Sequence, residues 1–423
     1  MVFEQQEESD RNSSSNVPSI LFITQRFPPE PGAEPTRVDE LCSRWQAAGH
    51  DVTVLTTVPD HPEGEIHDGY TNGWLQRETR NGVTVITVKT IPSPTGNLAR
   101  RALKFVWFML LATVVGLRLA RRDIVVATSP QPLTGVSAWI VARLKRSRFV
   151  FEVRDLWPES ITSLTDASTR MLKPLEWTVE FIYRRADRIV TVSRAFESDL
   201  IAAGVDSADI WFHPNGVTPE FFDRPSEEFV IDADLAEDLA DQFVVSYVGT
   251  IGRAHGLSVV LDAADVLTDN TDIQFLLVGH GAEADALEQE AQHRDLDNIT
   301  FVGYRPKEEV PDFLALSDVS LVHLRGVDLF RTVIPSKMFE SMGAGVPIAL
   351  GVEGEAKRIL KQSEAGLCFE PENATALVSV ITELYENRER REQLGQNGRR
   401  FVAEEFSWDS IAAEYSGHLT SIA

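Results

Sequence analysis

The sequence predicts an α/β protein of two doubly wound domains, each built on a parallel sheet. Two observations carry this. Short apolar runs alternate with helix-period segments twice along the chain, and an acidic, Pro-containing stretch from Thr218 to Asp241 separates the two series. With 423 residues, 43% of them hydrophobic and 9% aromatic, there is material for two cores, and disorder throughout is excluded. The expected domains span 18–217 and 242–404, with 218–241 as a linker. A C-terminal helix over 405–423 is expected to return to the first domain.

The segment 1–17 (EQQEESD, then RNSSSN) is polar and lacks a signal peptide's apolar stretch, so it reads as a disordered acidic leader. Ile20 to Thr24 reads as a strand. Val38, Leu41, Trp45 and Ala48 recur on one helical face, Gly49 suits the cap, and Asp51 to Thr57 returns to strand. Phe105 to Leu117 departs from the rhythm, with no charge and apolar residues on every side. Such a helix spans roughly 20 Å, short of the ~30 Å hydrocarbon core. Arg100, Arg101 and Lys104 precede it; Arg118, Arg121 and Arg122 follow it. A buried core helix and a monotopic helix on an anionic leaflet both fit, and the flanking charge favours the membrane. In the second half, strand-like runs begin at Phe243, Ile273, Ile299, Val319 and Val346, with helix-like segments between them.

Charge narrows the partners. The formal net charge is −24, with 64 Asp+Glu against 40 Lys+Arg, of which 32 are Arg and 8 Lys. That balance argues against a nucleic-acid backbone as partner. Residues 100–148 form a basic island whose one acid is Asp123. Many acids with few Lys is also what adaptation to molar salt produces, so a halophilic source is expected. Cys42 and Cys368 lie in different halves; a disulfide framework is not expected, and neither has zinc-site spacing.

Val333 to Ile348 (VIPSKMFESMGAGVPI) carries the most chemistry. Pro335 can open a helix, which puts Ser336 and Lys337 in a first turn that favours phosphate. Glu340 shares Lys337's face, so a cation for diphosphate stands beside a carboxylate for ribose hydroxyls. A solvated surface pair has the same spacing. Two Gly-rich turns follow strands: Gly249 to Gly256, which includes Gly252, and Gly279 to Gly281. Glycine there lets backbone N–H groups approach an anion, although ordinary βα-turn glycine looks the same. Arg253 adds a planar cation suited to a diphosphate.

Together these residues resemble glycosyltransferase family 4, retaining nucleotide-sugar transferases of the GT-B fold. The resemblance is nearest to the branch with colanic-acid and O-antigen fucosaminyl-type transferases. It covers almost all the chain from Pro18 and rests on FPPEPGAEPTR (Phe27 to Arg37), HPEGEIHDGY (His61 to Tyr70), VRDLWPES (Val153 to Ser160) and FRTVIPSKMFE (Phe330 to Glu340). Broader marks are ADRIVTVS (Ala186 to Ser193), HPNGV (His213 to Val217) and AGLCFEPEN (Ala365 to Asn373).

The resemblance implies two Rossmann-like domains facing a central cleft, the second binding the donor and the first the acceptor. It implies that Glu340 holds the ribose, that Ser336 and Lys337 serve the phosphates, and that Gly249, Gly252, Arg253, Gly279 and Gly281 form the diphosphate loops. Tyr304 is placed at the base pocket, and Gly32 and Ala33 at the opposite wall. The sequence departs from the pattern at Thr332, where the first motif glutamate would stand, and at His255, where a loop lysine would stand. Arg154 replaces an acceptor-side histidine. Asp155 is then expected to orient the acceptor, with His61, Arg154 and Trp157 beside it; a buried, salt-bridged strand end is the alternative. The catalytic set implied is Asp155, Arg253, Lys337 and Glu340.

His61 and His67 read as loop residues rather than metal ligands, and Asp232-x-Asp234 as chance in an acidic chain. No cofactor and no obligatory catalytic metal are expected. The function implied is retaining transfer of a hexose or amino sugar from a nucleotide-diphosphate donor to a polyprenyl- or dolichyl-linked glycan. The implied location is peripheral, on the cytoplasmic face of an anionic cell membrane, in polysaccharide or protein-glycan assembly. A non-catalytic membrane-bound subunit, suggested by Thr332, and a nucleotide-sugar 2-epimerase are the competing readings.

Overall fold

The computed structural model describes residues 17–61, 64–93, 98–156, 169–222 and 231–423. The expected leader falls almost wholly outside them, as does Trp157. The chain divides into two units. One holds the chain through Val192, Glu197–His213 and Ile411–Ala423; the other holds Ser193–Phe196 and Pro214–Ser410.

The first unit is an eight-stranded sheet of β1 (Ile20–Ile23), β2 (Val52–Thr57), β3 (Leu75–Arg80), β4 (Val83–Val88), β5 (Ile124–Thr128), β6 (Arg148–Val153), β7 (Arg188–Thr191) and β8 (Ile210–Phe212). Their order is β3-β4-β2-β1-β5-β6-β7-β8. Every pairing is parallel except β3–β4. That antiparallel edge is a hairpin whose turn residues, Asn81 and Gly82, both have positive φ, the twist a two-residue turn needs. β1, β2 and β5 are buried along their whole length; β1 and β5 read as near-continuous apolar runs, while β2 (VTVLTT) buries three threonines as well.

Beneath this sheet lies a buried ion pair. Arg37, on the helix Ala33–Ala47, reaches Glu152 of β6 at 3.1 Å, and both side chains are fully excluded from solvent. The last helix, Trp408–Ile422, contributes its residues from 411 onward to the same unit. Trp45 Nε1 donates to the Ala412 carbonyl at 3.1 Å, and Tyr415 packs edge-on against Trp45.

The segment read as apolar on every side is part of the helix Leu98–Arg118. Phe108 and Ala112 are buried, and a side chain on Gly116 would meet Val141 of the helix Leu133–Lys145 at 2.8 Å. The other face leaves Leu103, Val106, Leu110 and Val114 exposed. Core and surface therefore share this helix, a division that uniform hydrophobicity conceals. No helix among the described residues is long and apolar enough to cross a membrane.

The second unit has six parallel strands, β9 (Phe243–Val248), β10 (Ile273–Val278), β11 (Ile299–Gly303), β12 (Val319–His323), β13 (Ile348–Gly351) and β14 (Gly366–Cys368), in the order β11-β10-β9-β12-β13-β14. Alternation along β9 sends Phe243, Val245 and Tyr247 into one core and Val244 and Val248 into the other. The stretch 218–241, expected to be a linker, counts with this unit. It holds a helix, Ala233–Leu239, and buries Ile231 and Leu239, two apolar residues that its acidic composition masks.

Candidate active site

Strand order reverses between β9 and β12, the position where doubly wound sheets open a crevice at their carboxyl ends. The two strands pair only through Val319–Val245 and Ser320–Ser246. Gly249 to Gly256 follow β9, and Leu324 onward follow β12.

Lys337 reaches this point from the helix Ser336–Gly343, whose N-cap is Pro335, in extended conformation and without an N–H to leave unsatisfied. Ser336 is the first helical residue rather than the second and is exposed. The Lys337 ammonium lies 3.7 Å from the centre of the Tyr247 ring. It also occupies the space beside Gly249, where an added Cβ would stand 2.7 Å from Nζ. The stem is partly exposed, yet Nζ is buried with no hydrogen-bond partner among the described residues. Burial lowers its pKa to about 7, with Glu340 pulling in the opposite direction. Burial raises the Glu340 carboxyl, and Lys307 and then Lys337 counter that. Nothing in the sequence singled out Lys307, because it lies thirty-odd residues away in a short 3-10 turn, Lys307–Glu309.

Two of the glycines in these turns have a role different from the expected one. Gly249 N–H donates to the Val278 carbonyl and Gly279 N–H to the Gly303 carbonyl, both at 2.8 Å, so neither is available to an anion. These glycines instead let two loops touch. A Cβ on Gly279 would stand 1.9 Å from the Gly249 carbonyl oxygen, and one on Gly281 would stand 2.4 Å from that of Ile251. The N–H groups of Thr250, Gly252, Arg253 and Gly281 are among those that form no hydrogen bond with the described residues. Gly279→Ala adds a positive-φ penalty (φ +144) to this collision. We expect it to cost about 1–3 kcal/mol in strain alone and to weaken nucleotide binding, read by thermal denaturation and calorimetry together.

A histidine brace holds the loops. His323, buried at the end of β12, donates from Nδ1 to the His255 carbonyl at 2.6 Å and accepts the Glu372 N–H on Nε2 at 2.9 Å. These two bonds define a neutral ring, and burial lowers its pKa accordingly. Burial, and then Lys337, bring His255 to about 4, so at neutral pH it supplies no cation in place of the loop lysine. Arg253 is exposed and pairs with no carboxylate among the described residues. Thr332, the last residue of a 3-10 turn, donates its hydroxyl to the Leu329 carbonyl, and its own carbonyl accepts from Ser193 Oγ. Tyr304, just past β11, is 66% exposed, an open platform rather than a closed pocket.

The acceptor-side candidates lie in the first unit. Arg154 and Asp155 follow β6, and both backbone N–H groups point to Ser129 Oγ. Burial raises Asp155, with Arg154 opposing it; Glu34 is raised likewise, with Arg154 and Arg26 opposing. His61 lies after β2 and is lowered to about 4 by burial and then by Arg26, Lys104 and Arg101. Its carbonyl accepts from His67 Nε2 at 2.8 Å. Gly32 (φ +122) is the N-cap of the helix that Ala33 begins.

A two-domain α/β protein whose desolvated cation at a strand-order reversal has no hydrogen-bond partner among the described residues is suited to hold an anion there. Comparisons with known proteins give the class its name. The description "Glycosyl transferase 4-like domain" matches residues 32–216 and "Glycosyl transferases group 1" matches 233–401. The putative colanic acid biosynthesis glycosyl transferase WcaI of Escherichia coli is 26% identical over 86% of this chain and 91% of its own. A GDP-mannose-dependent alpha-(1-6)-phosphatidylinositol monomannoside mannosyltransferase of Mycobacterium tuberculosis is 23% identical over 95% and 97%. The crystal structure of Anabaena Alr3699/HepE in complex with UDP superposes with a TM-score of 0.71 at 17% identity, covering 95% of this chain and 100% of that one. The sucrose-phosphate synthase of Thermosynechococcus elongatus gives 0.72 at 22% identity, over 95% and 98%. The chain belongs to glycosyltransferase family 4, with the GT-B fold.

Proposed function

We propose that this glycosyltransferase moves a sugar, with retention, from a nucleoside diphosphate to a lipid-linked glycan on the cytoplasmic face of a membrane. The observation that carries the donor half is the Lys337 ammonium, buried in the first turn of its helix with no hydrogen-bond partner among the described residues. A departing diphosphate develops negative charge, and a cation already stripped of water stabilises it without reorganisation. The helix N-terminus and the N–H groups of Thr250, Gly252 and Arg253 add to that field. In this reading Glu340 accepts ribose hydroxyls. Relatives point the same way, since WcaI is described as acting in colanic acid biosynthesis and the mycobacterial enzyme as using GDP-mannose.

The lipid half rests on the helix Leu98–Arg118. Leu103, Val106, Leu110 and Val114 form one exposed apolar stripe, with exposed Arg101 and Arg118 near its ends. Trp74 and Leu75 are also exposed, and Trp74 lies 6.0 Å from Trp107 of that helix with the Lys89 ammonium over its ring. An apolar stripe bordered by Arg and an interfacial Trp matches an anionic leaflet. Leu110→Asp with Val114→Asp should therefore abolish flotation with anionic vesicles while leaving melting unchanged. Undiminished flotation would remove the membrane assignment.

The function is tested by incubating membranes and protein with radiolabelled UDP-, GDP- and dTDP-sugars, then extracting lipids. Labelled lipid is the expected result. An altered free nucleotide sugar would replace the proposal with an epimerase, and no product with any donor would leave a non-catalytic subunit.

A further inference from the structure

Tyr247, next to last in β9, is buried, and its ring and its hydroxyl meet different partners. The ring carries the Lys337 ammonium 3.7 Å from its centre. An ammonium over an aromatic face is favoured most where water is excluded, and Lys337 Nζ is buried with no hydrogen-bond partner among the described residues. The His255 ring stands across the same ring at 6.1 Å, inclined by 70°. The hydroxyl turns the other way and donates to the Thr250 carbonyl at 2.6 Å. Burial raises the phenol well above its ordinary value, so the O–H keeps its proton and remains a donor.

That bond is one of a set. The loop after β9 is anchored by its carbonyls: Thr250 accepts from Tyr247, Ile251 from the Glu283 N–H (3.1 Å) and Gly252 from the His255 N–H (2.8 Å). Ala254 accepts from the Arg325 N–H (3.0 Å), and His255 from His323 Nδ1 (2.6 Å). The N–H groups of Thr250, Gly252 and Arg253 form no hydrogen bond with the described residues. A loop whose acceptors are taken and whose donors are left over is suited to an anion. Tyr247 is the anchor that also holds the cation.

We propose that Tyr247 is the positioning residue of the diphosphate site. Its ring holds the Lys337 ammonium in place, and its hydroxyl fixes the loop whose N–H groups complete the site. This assignment rests on the donor reading above, in which Lys337 meets a nucleoside diphosphate, and identifies the group that sets both halves of that site.

The test is calorimetry of UDP, GDP and dTDP on the full chain at pH 6 and pH 8, with thermal denaturation as the check on folding. Tyr247→Phe keeps the ring and removes one hydrogen bond, so affinity should fall by about two- to tenfold, equally at both pH values. Tyr247→Leu and Tyr247→Met remove the ring as well. Without it the Lys337 amine, at about pKa 7 in the unmutated protein, gives up its proton more readily. The diphosphate must then draw that proton from solvent, which is harder at higher pH. A ring that favours the proton about tenfold predicts a further loss, relative to Tyr247→Phe, of about twofold at pH 6 and about tenfold at pH 8. Glu340 and His255, the latter neutral above about 4, also bear on Lys337 and are retained in every variant. In a Lys337→Met background, Tyr247→Leu should show no pH-dependent loss. A ring-free loss equal at pH 6 and pH 8 makes Tyr247 a packing residue and overturns the proposal, as does undiminished affinity of Tyr247→Phe. If all three variants bind nucleotide normally, this assignment falls and the donor reading stands. If the unmutated protein binds none of the three nucleotides, the donor reading falls and takes this assignment with it.

Discussion

Lys337→Met is expected to lower sugar transfer by about 10²–10³-fold, the scale for removing one preorganised charge from a transition state, and at the same time to stabilise the protein. Both effects come from one feature. The ammonium is buried beside Tyr247 with no hydrogen-bond partner among the described residues, and its pKa falls to about 7. In the unfolded chain the same lysine titrates near its ordinary 10.5. Between pH 7 and 10.5 the unfolded state therefore holds a proton that the folded state has released, and stability rises with pH across that window. Each unit within it contributes about 1.4 kcal/mol. Methionine keeps the length and removes the charge, so the variant's advantage in melting temperature should be largest below pH 7 and fade towards pH 10.5. A diphosphate restores the missing partner, so nucleotide binding at pH 8 should take up a proton, seen as a dependence of calorimetric enthalpy on the buffer. Normal turnover by Lys337→Met, or melting that does not differ from the unmutated protein at pH 6, would remove Lys337 from the site.

Arg37→Met carries the largest expected loss of stability. Arg37 and Glu152 are both wholly buried, so the substitution strands a carboxylate in a low-dielectric interior. Breaking such a pair from one side costs about 3–5 kcal/mol, a large part of a domain's margin. Replacing both partners, as Arg37→Met with Glu152→Leu, should recover most of the loss, because desolvation of the pair is removed with its attraction. Urea denaturation of the two variants separates the outcomes. A single variant as stable as the original chain would show that Glu152 is served by another group.

Much of the architecture was legible in the chain. Alternating strand-like and helix-like periods mark the successive βα units of both sheets. The helix at Ser336–Gly343 could be read from Pro335 and the spacing of Lys337 and Glu340. The antiparallel strand Leu75–Arg80 was not read, because five of its six residues are solvent-exposed and carry no apolar alternation. Asn81-Gly82 was its one available signal. Neither Lys307 nor His323 carried a mark, since each acts on residues distant in sequence: Lys307 on Glu340, and His323 on His255 and Glu372.

The sequence by itself determined two doubly wound sheets, the motifs of family 4 and the helix that delivers Lys337. Those follow from local rules, in which side-chain period and first-turn chemistry are set by neighbouring residues. Only the tertiary structure decided that Gly249 and Gly279 serve loop packing rather than an anion, that Lys337 is desolvated, and that one face of the helix Leu98–Arg118 is core and the other exposed. Burial and hydrogen-bond supply depend on which distant segments meet, and a residue's sequence neighbours do not encode that.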